Sequence, residues 1–313
     1  MINNHSNETT MKTKPKNLFP IRTVASLTGV NAITLRAWET RYGLIKPVRT
    51  EKGHRLYTQE NIDTINEVVD LLAKGIPISQ ASRALQKRDE TVDDHVKDAW
   101  HDALTDMLSA IRAFDENALN TTYNNLLALY PIDIVIQKLI LPLLTELGRR
   151  WETGEGTIAE EHYFGVFLRN KLGARFHHGM SNTRGRRILG ACLPGENHEN
   201  GLLLFALSAQ SRGLQVTLLG ANMPIEEIEM AAARSKSDAI ILSGSIYIDL
   251  KKLLRPIEDL VKAVNIPVFV GGKVSSIYFD DIVRVGAIPT GDDIAHGIKR
   301  ISSTLDSSDN HPL

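Results

Sequence analysis

One cysteine in 313 residues leaves no partner for an intramolecular disulfide, so the fold must stand on packing alone and suits a reducing compartment. That residue, Cys192, lies in the apolar run 187–193 and reads as a small buried hydrophobe rather than a reactive thiol. No apolar stretch approaches the ~20 residues of a membrane-crossing helix, so no membrane partner is expected. The polar start, Met1 to Lys16, lacks the apolar segment of a secretory leader. A disordered arm over 1–17 and a cytoplasmic location follow as expectations. Nothing in the chain resembles a nucleophilic triad or a phosphate-cradling glycine loop, so no enzyme is expected. With 42% hydrophobic and 23% charged residues the composition is that of a folded soluble protein.

Net charge is also nearly missing, at −1, but it is unevenly spread. Between Lys16 and Arg88 twelve bases face six acids, a surplus of +6, so the remainder is acidic. A basic module on an acidic body implies a polyanionic partner for the first module only. Pattern divides the chain further, into a multidomain α and α/β protein. Residues 18–88 form the basic module. A charged linker follows over Lys87–Asp94. Residues 95–180 carry apolar residues at helical spacing, such as Leu104, Met107, Leu108 and Ile111, and imply an antiparallel helical bundle. Residues 186–305 alternate apolar runs (187–193, 215–219, 239–243, 267–270) with helical patterns, which predicts a Rossmann-like, doubly wound parallel sheet with ligands at the C-terminal strand ends. A polar, mobile tail is expected over 306–313.

Within the basic module, a short helix from Pro20 turns at Gly29 into a second helix, Asn31–Gly43, with Asn31 as its N-cap. Thr34, Arg36 and Arg41 lie on this second helix, a helix-turn-helix arrangement. Lys46–Tyr57 follows as a hairpin turning near Lys52-Gly53, with basic side chains for flanking phosphates. The stretches Thr34-Leu35-Arg36-Ala37-Trp38-Glu39-Thr40-Arg41-Tyr42-Gly43-Leu44 and Gly53-His54-Arg55-Leu56-Tyr57 resemble the MerR family of regulators. The resemblance implies a winged helix-turn-helix on double-stranded operator DNA. Its contacts would come from Thr34, Arg36, Arg41 and Tyr42 on the helix and Arg49, Lys52, His54, Arg55 and Tyr57 on the wing. Trp38 reads as core. No long heptad run follows Leu85, so self-association must come from the C-terminal half.

The α/β module opens with Pro194-Gly195-Glu196-Asn197-His198-Glu199-Asn200-Gly201. A loop histidine is more often a hydrogen-bonded surface or core residue than a ligand, and one histidine cannot build a zinc site. Spacing adds weight: residues 202–242 separate Gly201 from Ser243-Gly244-Ser245, and residues 246–270 separate that from Gly271-Gly272. Both small-residue groups end predicted strands, where they would leave a slot. This resembles the cobalamin-binding fold, with Ser245 standing where the family pattern has Leu. By that resemblance His198 is the lower axial cobalt ligand, oriented by Glu196, and Asn197, Glu199, Gly201, Ser243, Gly244, Gly271 and Gly272 surround the cofactor. In the bundle, Trp151, Glu161 and His162 show the Trp-x9-Glu-His spacing, and Thr157–Glu160 reads as a capping box.

The whole resembles the CarH/LitR type of light-responsive repressors within the MerR family. The resemblance implies adenosylcobalamin as cofactor, a dark tetramer on the operator, and release when light breaks the cobalt–carbon bond. A protein antirepressor is a further partner on this reading. One departure is Glu152, where some members carry a histidine that takes the upper cobalt position after photolysis. Two alternatives remain at this point: a MerR-type regulator working through a protein partner without cobalamin, and a corrinoid methyl-transfer protein.

Overall fold

A computed structural model describes residues 18–50, 52–86, 99–179, 185–245 and 248–309. The expected arm, the linker at 87–94 and the last four residues of the tail lie outside these. The chain divides into two compact units. One is built on the described residues up to 86 together with Asn125–Pro131, the other on Ala99–Asn124 and the residues from Ile132 onward.

The first unit begins with β1 (Phe19–Pro20), α1 (Ile21–Thr28) and α2 (Ala32–Ala37). Asn31 caps α2 by accepting hydrogen bonds from the Ile33 and Thr34 N–H groups, satisfying two donors that a helix start leaves open. A π-turn over Trp38–Tyr42 extends the helix to Gly43. The wing is β2 (Val48–Arg49) paired antiparallel with β3 (Arg55–Tyr57). β1 adds a third strand that periodicity does not reveal, because two residues show no period; Phe19 pairs with Tyr57. α3 (Gln59–Ala73) and α4 (Ile78–Gln86) complete the run. α3 opens with a reciprocal Thr58–Asn61 capping box and buries Ile62, Ile65, Val68 and Leu72 along one stripe.

The second unit holds the bundle: α5 (Ala99–Arg112), α6 (Glu116–Leu129), α7 (Ile132–Val135), α8 (Leu141–Glu152) and α9 (Ile158–Gly179). A π-turn over Ile136–Ile140 joins α7 to α8. The last residues of α6 belong to the first unit, so the bundle boundary does not coincide with the unit boundary.

The α/β part runs β4 (Arg187–Cys192), α10 (Asn200–Ser211), β5 (Gln215–Gly220), α11 (Ile228–Ser235), β6 (Ala239–Ser243), α12 (Leu254–Ala263), β7 (Val268–Gly271), α13 (Lys273–Ile277), α14 (Phe279–Arg284), β8 (Ile288–Gly291) and α15 (Ile294–Asp309). Its five strands are parallel in the order β5-β4-β6-β7-β8. β8 goes beyond the four strands expected; its run Ile288-Pro289-Thr290-Gly291 is short and broken by proline and glycine. The tail also differs, since α15 continues through 306–309. α10 is apolar all round, with Leu202 to Ala209 buried. It packs on β4 and β5 on one side and on α9 on the other, so neither face meets water. Strand order reverses between β4 and β6, which opens a crevice at their C-terminal ends.

Candidate functional site

In the first unit the second helix and the wing present Arg36, Arg41, Arg49, Lys52 and His54 to solvent, and half-bury Tyr42 and Arg55. Glu39 ties helix to wing. Its carboxylate accepts from Arg49 at 3.1 Å and from Arg55 at 2.6 Å, and the Glu39 hydrogen bond holds the Arg55 guanidinium above its ordinary pKa. Motif reading passed over Glu39 because a carboxylate does not bind phosphate.

Two expected contacts move into the core. Thr34 is fully buried, with its hydroxyl accepting from Asn31 and donating to the Leu127 carbonyl. Tyr57 is fully buried on β3, and burial pushes its hydroxyl pKa up. Arg55 and Tyr57 share one face of β3, so alternation does not separate them; β3 packs on α1, and burial is complete only at its last residue, Tyr57. Neither side chain reaches a DNA surface in this conformation. Trp38 is core, as its motif position suggests, and its indole N–H donates to the Leu129 carbonyl at 2.8 Å.

At the β4/β6 crevice the loop after β4 carries the histidine. Glu196 is 3% exposed. One of its oxygens accepts from the His198 backbone N–H and from the ring Nδ1, each at 2.8 Å. The other accepts from the Ser245 N–H at 2.6 Å. Burial pushes this carboxyl up, but hydrogen bonds from Ser245 and His198 outweigh it and leave the pKa below its ordinary value. An ionised carboxylate only accepts, so Nδ1 carries the proton and Nε2 is the nitrogen able to take a metal. The His198 side chain is 55% exposed, and Asn197 beside it is exposed.

Glu199 precedes α10 and pairs with Arg169 at 3.5 Å, while Gly201 borders open space. The strand-end glycines allow close backbone approach. A Cβ on Gly272, at φ +85°, would lie 2.3 Å from the Gly244 carbonyl oxygen, and one on Gly244 would lie 2.8 Å from Leu193 and Val274. A Cβ on Gly271 would meet Thr290 Oγ1 at 2.8 Å. These positions let the loops after β6 and β7 close on each other, with Gly244 N–H donating to the Gly271 carbonyl. Ser243, half-buried, accepts from the Leu193 N–H through its carbonyl.

The bundle motif approaches the same loop. Residues 158, 162, 165 and 169 follow the i, i+4, i+3 rhythm of one face of α9. Gly165 on that face lies against Asn200, and Arg169 pairs with Glu199. One turn earlier His162 is exposed and Glu161 half-buried. Trp151, Ile158 and Val166 are 41%, 54% and 56% exposed. Apolar side chains left in water around a polar pair suit a flat, largely apolar ligand. Ile158 and Val166 were invisible to motif spacing, since an aliphatic residue on a helix reads as core. Of the capping box, the Thr157 hydroxyl accepts from the Glu160 N–H at 3.2 Å.

Cys192 is buried beneath the loop, and burial with nearby Glu196 and Glu199 pushes its thiol up to about 12. That excludes a reactive thiolate at neutral pH. A cavity of about 450 Å3, lined by Gly185, Arg186, Arg187, Lys236 and Asp238, lies at the opposite, N-terminal strand ends and takes no part in this constellation. No described helix is long and apolar enough to cross a membrane.

Comparison with known proteins follows the same division of the chain. Residues 19–88 match the MerR HTH family regulatory protein, and residues 103–175 and 186–298 each match a B12 binding domain. The HTH-type transcriptional repressor CarH of Myxococcus xanthus is 32% identical over 265 residues, covering 81% of this chain and 88% of its own length. The HTH-type transcriptional repressor CarA of the same organism is 27% identical over 273 residues, covering 85% and 91%. The HTH-type transcriptional regulator MlrA of Escherichia coli (strain K12) is 33% identical over 142 residues, 45% of this chain and 57% of its own. The chain therefore belongs to the MerR family of helix-turn-helix regulators, in the branch that carries B12-binding domains.

Proposed function

We propose that this chain is a light-responsive transcriptional repressor that occupies operator DNA as an adenosylcobalamin-bound oligomer in the dark. The observation that carries the reading is the grip of buried Glu196 on the exposed His198 ring, at the crevice where strand order reverses. A carboxylate-held imidazole with Nε2 turned to metal duty fits the donor set of a cobalt ligand. When bound, adenosylcobalamin supplies a cobalt–carbon bond that green or near-ultraviolet light breaks. His198 would hold the cobalt through Nε2, with Glu196 keeping the proton on Nδ1. Trp151, at the end of α8, would shield the cofactor, and Glu161 and His162 would hydrogen-bond its adenosyl group. Exposed Ile158 and Val166 extend the apolar face around them.

A ligand that bridges the bundle face and the His198 loop stabilises whatever assembly that surface forms, and its loss removes that stabilisation. An oligomer that holds several helix-turn-helix units on one operator gains by effective concentration, so disassembly weakens DNA binding without any change in the DNA-binding unit. Glu152, exposed beside Trp151, would offer cobalt a carboxylate, a weaker ligand for cobalt(III) than an imidazole, so that position would not supply a second histidine to the illuminated state.

Size-exclusion chromatography with adenosylcobalamin tests the proposal. In the dark the chain should elute near four times its 34.7 kDa mass, and illumination should shift it to a smaller species that releases operator DNA. Unchanged mass with the cofactor bound would overturn the light response while leaving cobalamin binding in place.

A further inference from the structure

The loop that carries His198 is held from a neighbouring strand end as well as from within. Leu193-Pro194-Gly195-Glu196 forms a tight turn, with the Glu196 N–H donating to the Leu193 carbonyl at 2.9 Å. Gly195 at φ +84° takes the position that requires left-handed backbone. In such a turn the N–H of the third residue has no partner inside the turn. Here the Gly195 N–H donates to Asn222 Oδ1 at 2.7 Å. The Asn222 N–H in turn donates to the Glu196 carbonyl at 2.8 Å. Asn222 therefore clasps the turn at two successive residues, the second of them Glu196, whose side chain orients His198. The next residue, Met223, anchors this segment by donating to the Cys192 carbonyl at 3.1 Å.

Asn222 itself is bent for the task. Its φ of +49° is left-handed, a conformation that asparagine adopts more readily than most residues yet still at a cost. It is exposed and lies on the connection after β5, on the far side of β4 from Ser245. Glu196 is thus pinned from two directions: Ser245, after β6, holds its carboxylate, and Asn222, after β5, holds its backbone.

We propose that Asn222 is a positioning residue for His198, which sets the loop so that Nε2 is presented to cobalt; this rests on the reading of His198 as the cobalt ligand. Asn222 touches neither ring nor metal. It acts through Glu196, and removal of its acceptor leaves the turn free to rotate and the imidazole misplaced.

The test uses the full-length chain labelled with 15N-histidine and loaded with cob(II)alamin. Electron paramagnetic resonance then shows a doublet superhyperfine splitting when a 15N imidazole sits on cobalt and a triplet when the cofactor's own 14N base does. Wild type should give the doublet. Asn222→Ala should bind cob(II)alamin about tenfold more weakly, as loss of an outer-shell partner of a metal ligand does, and should shift signal from doublet to triplet. Asn222→Gly, which keeps the left-handed backbone but lacks the acceptor, should behave like the alanine variant. Asn222→Asp, which keeps the oxygen, should restore the doublet. Because residue 222 is exposed, far-ultraviolet circular dichroism should be unchanged in all three. An alanine variant with the full doublet and wild-type affinity overturns the proposal. A wild type that shows no doublet overturns the ligand assignment itself, a separate and distinguishable failure.

Discussion

The helix-turn-helix unit and the α/β part each hold a carboxylate that grips neighbouring side chains. In the DNA-binding unit Glu39 holds Arg49 and Arg55; in the α/β part Glu196 holds His198 and the Ser245 N–H. The environments differ. The Glu39 side chain is 15% exposed, and its partners are permanent cations that are 56% and 29% exposed. Glu196 is 3% exposed, and most of its hydrogen bonds come from neutral donors. A solvent-facing ion pair is weakened by salt and contributes about 0–1 kcal/mol. A buried carboxylate satisfied by N–H donors is insensitive to salt and costly to break, because its desolvation is already spent. The ties on the wing are accordingly easier to loosen than those on the His198 loop.

The sharpest way to break this comparison is at its endpoint. His198→Ala should lower cobalamin affinity by more than about a hundredfold, beyond the range of outer-shell losses, while leaving operator binding by the DNA-binding unit intact. Absorbance titration and an electrophoretic shift without cofactor check the two halves, and an unchanged affinity would remove His198 from the site.

Glu196→Gln should follow, with affinity lowered about ten- to a hundredfold and stability lowered by about 1–3 kcal/mol, since a donor amide must now face the Ser245 or His198 N–H. Its pH dependence has a fixed sign. Because the folded carboxyl lies below its ordinary pKa, its stabilisation is present above the unfolded value of about 4.3 and is lost as pH falls through the folded value. The gap in denaturation midpoint between wild type and variant should therefore narrow between about pH 5 and pH 3. A gap that stays constant or widens in acid would contradict the assignment.

Trp38→Phe keeps a buried ring and loses only the indole N–H donated to Leu129. It should destabilise the first unit by about 1 kcal/mol, readable as a lower urea midpoint. The smallest effect belongs to Glu39→Gln. Stability should change by less than about 1 kcal/mol. With Arg49 and Arg55 released toward phosphates, the log–log salt dependence of operator binding should steepen by up to about 0.9 per additional contact. A slope equal to wild type would show that the Glu39 pairs leave the arginines as available as before.

Much of this was readable along the chain because the signals are local. Asn31 capping the second helix, the turn at Lys52-Gly53, the four apolar runs and the Trp-x9-Glu-His spacing each depend on residues within a few turns of one another. The cap, the turn and the strands lie where the pattern puts them, apart from shifts of a residue or two at strand ends. The cofactor class followed from three motifs in order. The exposure of Ile158 and Val166 did not, since helical periodicity cannot tell a core face from a ligand face. Nor did the close packing around Gly244, Gly271 and Gly272, because small residues at strand ends do not say which atoms come near them.

The amino-acid sequence alone determined the modules, their order, the helix-turn-helix and the Glu-x-His pair, because propensity, capping and periodicity act over short stretches of backbone. Tertiary structure alone decided which side chains are available. It put Thr34 and Tyr57 in the core, joined Asn125–Pro131 to the DNA-binding unit, buried Glu196 while exposing His198, and brought Asn222 to their turn. Burial and long-range hydrogen bonds depend on what the rest of the chain places nearby, and no window of residues contains that.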